Sequence, residues 1–129
     1  MIRDVTDLVV YNNALENLRL LYDLASQIPD SHRKLRFQLI ESGESIAPLI
    51  AEGYGKKRSE KEFKRFLEMA LGSSDEVITH ERQAKILSQR IRSIDSALCD
   101  LLIEKYKVES KQLQQLIKNW QTYQYSKSV

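Results

Sequence analysis

From Leu8 onward, Tyr11, Leu15, Leu18, Tyr22 and Ala25 recur at steps of three and four, the period that stacks side chains along one face of a helix. This predicts a first helix over about 7–28. Ile28-Pro29-Asp30 ends it, because the residue before a proline avoids the α region, and Asp30 or Ser31 is placed to cap the next helix. A second stripe, Leu35, Leu39, Ser42, Ile46, Leu49 and Ile50, predicts a helix over about 31–52, stopped at Gly53-Tyr54-Gly55, where two glycines offer freedom for a chain reversal. Pro48 lies inside this stripe and is expected to bend or break the helix.

Ser59-Glu60-Lys61-Glu62 has the spacing of a capping box. It opens a third helix over about 59–89, with an apolar face through Phe63, Phe66, Leu67, Ala70, Ser74, Val77, Ile78, Ala84 and Leu87. Gly72 interrupts this helix and is read as permitting close approach of a neighbour. Asp95 caps a fourth, over about 95–121, carried by Leu98, Leu102, Tyr106, Leu113, Leu116, Ile117 and Trp120. The remaining tail, 122–129, has no periodicity and is expected to fray. Four amphipathic helices joined by short turns pack most simply as an all-α, antiparallel up-down-up-down four-helix bundle, a single domain spanning 1–129.

Composition narrows the picture further. With 4 Gly and 2 Pro in 129 residues, the chain is poor in the residues that hairpins demand. The longest apolar runs, Leu8 to Tyr11 and Ile46 to Ala51, are far shorter than the ~20 residues that span a bilayer. No membrane partner is expected. The acidic start has no secretory pattern, and Cys99 is the one cysteine, so a reducing, cytoplasmic setting is expected.

Net charge is +2 but unevenly placed: 5 Lys and Arg face 8 Asp and Glu in residues 1–55, against 15 and 10 in 56–129. Lys56, Lys57, Arg58, Lys61, Lys64 and Arg65 crowd into ten residues, relieved by Glu60 and Glu62. Arg58, Lys61 and Arg65 follow helical spacing, so their charges can converge. Arg82, Lys85, Arg90 and Arg92 extend the excess. Such cations either coat a solvated helix face or bind phosphates, the second gaining force if an oligomer multiplies the patch. Tyr54 beside them could stack on a base but is expected to pack over the bundle end.

Candidate chemistry is otherwise sparse. Paired Glu-x-x-His motifs, which a di-iron bundle requires, are absent: His32 falls in a turn, and His80 follows Glu76 by four. No metal site, cofactor or enzymatic activity is expected. His80 is expected to be solvated or hydrogen-bonded, and Cys99, between Leu98 and Leu101 on a helix, to be a packed thiol. Glu52 and Glu76 stand among apolar or small neighbours; a catalytic acid pair is conceivable, but an ion pair or hydrogen bond that fixes helix register is the favoured reading. Gly53 to Ser59 lacks the spacing of a phosphate loop.

Asp7-Leu8-Val9-Val10-Tyr11 with Ala14, Ile28-Pro29, Leu35 with Gln38-Leu39, Ser45-Ile46, Ile50-Ala51-Glu52-Gly53, Ser59 with Lys61-Glu62-Phe63, Arg65-Phe66-Leu67, Ala70-Leu71-Gly72-Ser73 with Glu76, and Leu113 with Leu116-Ile117-Lys118 and Trp120 resemble the bacterial four-helix-bundle proteins encoded in 23S ribosomal RNA intervening sequences. The resemblance implies a bundle assembling as a homopentamer without known enzymatic activity. Relatives that it brings in include the accessory variability determinant of diversity-generating retroelements, a basic pentamer that binds nucleic acid and a reverse transcriptase. Two departures matter. Where the family carries Arg-Arg after Gln-Leu, this chain has Ile40-Glu41, and where it reads Ser-Ile-Pro-Ala-Asn-Ile, this chain has Ser45-Ile46-Ala47-Pro48-Leu49-Ile50.

The sequence therefore points to a non-enzymatic oligomeric bundle that contacts RNA or DNA through Lys56, Lys57, Arg58, Lys61, Lys64 and Arg65, with Arg82 and Lys85. The alternative is a scaffold or adaptor that presents a surface to another protein.

Overall fold

The computed structural model describes residues 1–120; the tail expected at 122–129 lies outside them. Four long helices carry the described chain, α1 (Val9–Gln27), α2 (Arg33–Gly55), α3 (Glu60–Ser88) and α4 (Ser96–Asn119), with short 3-10 turns at Val5–Asp7 and Asp30–His32. Contacts across the helices set their directions. Tyr22 bonds Glu44 and Arg36 reaches the carbonyl of Ile28; Ser45 meets Ser73 and Gly53 lies against Phe66; Ser110 meets Asp75 and Lys85 meets Asp100; Asn13 meets Gln112 and Ser93 meets the carbonyl of Gln27. Within each joined pair one residue number rises as the other falls, so neighbours run antiparallel. α1 and α3 each pack against both α2 and α4, which makes a four-helix bundle around one apolar centre.

That centre holds fully buried Leu21, Leu24, Leu39, Ile46, Phe63, Leu67, Leu102, Tyr106 and Leu113. The expected stripes of α3 and α4 supply it nearly as read. α1 differs. Its core face is Val10, Ala14, Asn17, Leu21, Leu24 and Ala25; of the expected stripe Ala25 is buried and Tyr11 and Leu18 pack partly against the core, while Leu15 and Tyr22 are 45% and 43% exposed. Both sets repeat every three or four residues, about 100° apart around the helix. The core takes the set in which Leu21 fits the gap left by Gly43 on α2, where an added Cβ would strike the Leu21 side chain.

Helix ends also correct the reading. Asp30 caps nothing; it forms the 3-10 turn and holds the Arg36 guanidinium at 2.7 Å. α2 continues through Pro48 unbroken to Gly55, and none of the glycines has positive φ. Gly53 serves close packing instead: a Cβ there would lie 2.6 Å from the Phe66 Cβ and 3.4 Å from the Phe63 carbonyl. Gly72, read as the point of close approach, has nothing within 4 Å of that position. Gly53→Ala is therefore expected to destabilise the fold by roughly 1–3 kcal/mol through overpacking, whereas Gly72→Ala should stabilise it by about 1 kcal/mol through helix propensity. Chemical denaturation of the two variants checks both signs.

Candidate nucleic-acid interface

The α2–α3 turn is where the largest cation cluster sits. Lys56, Lys57 and Arg58 form the turn, Ser59 caps α3 by accepting from the amide of Glu62 at 3.2 Å, and Lys61, Lys64 and Arg65 ride its first two turns. Only half of the expected capping box forms, because the Glu62 carboxylate turns to Arg65, with Oε2 3.0 Å from Nε. That bond holds the Glu62 carboxyl below its usual range and raises Arg65. Arg58 lies ahead of the cap, so it does not share a helical stripe with Lys61 and Arg65; those two, four apart on α3, do.

Neutralisation of the cluster is partial. Lys56 stands 3.8 Å from Glu52 and Lys64 3.9 Å from Glu60, while Arg58 and Lys61 have no carboxylate partner among the described residues. Pairs this exposed contribute little and exchange readily for another anion. Aromatic rings hold the cations in place. Lys56 and Arg65 lie 4.9 and 4.6 Å from the centre of the Phe66 ring, and Lys57 lies 4.0 Å from that of Tyr54. Tyr54 itself is buried in the last turn of α2, edge-on to Phe63 at 6.3 Å. It offers a seat for Lys57 rather than a face for a base.

The remaining two candidates stand apart. Arg82 and Lys85 lie about 26 Å or more along α3 from Arg65, at 1.5 Å per residue, and Lys85 is held by Asp100 at 2.6 Å. They do not join the turn cluster.

The acids and thiol singled out by the sequence are accounted for locally. Glu52 and Glu76 are both exposed. Glu52 pairs with Lys56, and Glu76 stands 3.3 Å from Nε2 of His80, contacts made within one stretch of helix that set no register between helices. Gly53 packs beside Phe66, so Glu52 and Glu76 are separated by roughly 15 Å along the bundle and form no acid pair. His80 is buried, with Nδ1 3.0 Å from the Gln83 amide oxygen; His32 lies exposed in its turn beside Ser31. Cys99 is fully buried and burial pushes its thiol up to about 11.

Sequence reasoning missed the two acids that are buried. Glu81 and Glu109 are 0% exposed, and neither carboxyl has a hydrogen-bond partner among the described residues. Burial raises them to about 9 and about 8. The Tyr106 hydroxyl, also buried and unpartnered, is raised by burial and by both acids. A positional signal existed: Glu81 follows Val77 by four, and Glu109 follows Tyr106 by three and precedes Leu113 by four, so both occupy core positions of their stripes. Among the described residues no cluster of three or more His, Cys, Asp or Glu could hold a metal, and no helix is long and apolar enough to cross a membrane.

The family model for the 23S rRNA-intervening sequence protein matches residues 6–115. No curated protein matches the chain.

Proposed function

The chain belongs to the 23S rRNA-intervening sequence protein family, and from that membership and its cationic turn we propose a non-enzymatic, oligomeric bundle that binds RNA or DNA. One observation carries the reading: six cations gathered at the α2–α3 turn and the start of α3, three of them, Lys56, Lys57 and Arg65, seated on the Phe66 and Tyr54 rings. Lysines and arginines held this way need little ordering to meet phosphates, and each phosphate met releases counterions. Assembly would multiply the patch, and the second apolar stripe of α1, centred on Leu15, is the surface proposed to drive it.

Binding is expected to weaken steeply with salt, with a log–log slope near −3 to −4 per chain if about four phosphates are met. Reversing Lys57, Lys61 and Arg65 together to Glu should abolish duplex binding while circular dichroism is unchanged. Leu15→Glu should lower the mass measured by light scattering. Salt-independent binding, or full duplex affinity in the triple variant, defeats the reading of this turn as a nucleic-acid interface. Exposed Leu101 and Val108 on α4 favour the second reading, a protein–protein scaffold or adaptor, which is what remains if the oligomer forms and no nucleic acid binds.

A further inference from the structure

A second cationic surface lies at the opposite end of the bundle. The start of α2 and the end of α3 meet there, about 35 Å from the α2–α3 turn given the 23 residues of α2 and 1.5 Å per residue. An open hollow of about 430 Å³ takes its apolar floor from Leu35, Ile86 and Leu87, and its lining also includes the cations Lys34 and Arg90 and the polar His32, Gln38 and Gln83. A second hollow, of about 470 Å³, lies beside it with Arg33, Phe37 and Ile40 in its lining, and Lys34 belongs to both. Phe37 and Ile86 are each 66% exposed. Arg36 is committed to Asp30 at 2.7 Å, but Arg33, Lys34 and Arg90 have no carboxylate partner among the described residues.

We infer that these paired hollows form a track for single-stranded nucleic acid, separate from the α2–α3 turn, with bases on Phe37 and on the Leu35–Ile86–Leu87 floor and phosphates on Arg33, Lys34 and Arg90.

The chemistry selects that occupant step by step. Apolar floors alone would accept any greasy group, but unpaired cations on their rims select a ligand that is anionic and apolar at once. Each hollow is within the size range of small-molecule sites and accommodates one base. An exposed aromatic ring beside cations is the element on which unpaired bases stack, independent of sequence. Two adjacent hollows sharing Lys34 imply a repeating ligand with a negative charge between its flat units, which is a nucleotide strand. A duplex cannot use the track, because its base faces are already stacked. None of these contacts reads a sugar hydroxyl, so RNA and DNA strands bind alike.

Fluorescence anisotropy tests this with labelled oligouridylate and oligothymidylate, each about twelve nucleotides long, and with a duplex of equal length. Phe37→Ala should weaken single-strand binding roughly ten-fold and leave duplex binding unchanged. Lys34→Glu with Arg90→Glu should weaken it at least as much and reduce the salt slope by about two. These side chains lie on the surface, so circular dichroism should match the parent. Wild-type affinity for single strands in both variants, equal losses for duplex, or displacement by an acidic peptide but not by an unlabelled strand overturns the inference. The Lys57, Lys61 and Arg65 reversal, run alongside, separates the two sites: loss in that variant alone keeps the turn and rejects the track, loss in the Phe37 and Lys34/Arg90 variants alone does the reverse, and a wild-type protein that binds no strand rejects the track outright.

Discussion

Glu81→Gln and Glu109→Gln are each expected to raise the stability of the fold near neutral and alkaline pH and to remove about half of the pH dependence that the two acids create there. Both carboxyls are fully buried with neither oxygen hydrogen-bonded to another described residue, so the charged form is strongly disfavoured. Their folded-state values, about 9 and about 8, exceed the ordinary 4.5. The folded chain therefore binds protons that the unfolded chain has released. Stability from these groups is fully present below about pH 4.5, falls as pH rises, and is lost once pH passes about 8 and then about 9. At about 1.4 kcal/mol per pH unit, the loss between pH 4.5 and neutrality is roughly 3 kcal/mol for each acid. Gln keeps the shape and cannot lose a proton, so each variant should gain about that much by urea denaturation around pH 7 and nothing around pH 4. A parent whose stability is level across this range, or a Gln variant that is weaker at alkaline pH, would show that the carboxyls have found compensation.

Those two acids also mark how far the sequence could be read. Helix number and order were legible because α2, α3 and α4 each carry one dominant stripe, anchored by residues such as Ile46, Phe63 and Leu102 that have no alternative but the core. α1 was ambiguous for a physical reason: it has two stripes, and the choice between them depends on Gly43 in another helix, which no local pattern reports. Glycines misled in the same way. Spacing cannot separate Gly53, pressed against Phe63 and Phe66, from Gly72, which faces open space. The cation cluster was visible as composition, and the helical rise along 59–89 already separates Arg82 and Lys85 from the turn, but only the fold puts Arg33 and Lys34 beside Arg90. Charge read as belonging to one half of the chain is in fact distributed over two ends of one bundle. The acidic first half contributes cations to one end, and the basic second half contributes them to both.

Phe63→Ala is expected to cost about 3–5 kcal/mol, the usual range for emptying a buried aromatic site, and to loosen the cationic turn with it. Phe63 is 0% exposed and ties three segments together at the α2–α3 end. Its ring meets Trp120 edge-on at 4.7 Å and Tyr54 at 6.3 Å, while Gly53 lies close against it. Removing the ring leaves a void that Gly53 has no side chain to fill, and deprives Trp120 of its packing partner after the last turn of α4. Since Trp120 is the single tryptophan, the change reads out directly: emission should shift to the red while far-ultraviolet circular dichroism still shows helix. A double-mutant cycle with Trp120→Ala should return a coupling of about 0.5–1.5 kcal/mol, the share belonging to the edge-on pair. The consequence for binding follows from geometry. Tyr54, which seats Lys57, packs on Phe63, and Phe66, which seats Lys56 and Arg65, lies one turn further along α3. Loss of the ring should thus weaken phosphate binding at the turn without removing a charge. A cost below about 1 kcal/mol, far under that expected for a buried aromatic, or an unshifted tryptophan would show that the end of the bundle is held by something other than this ring.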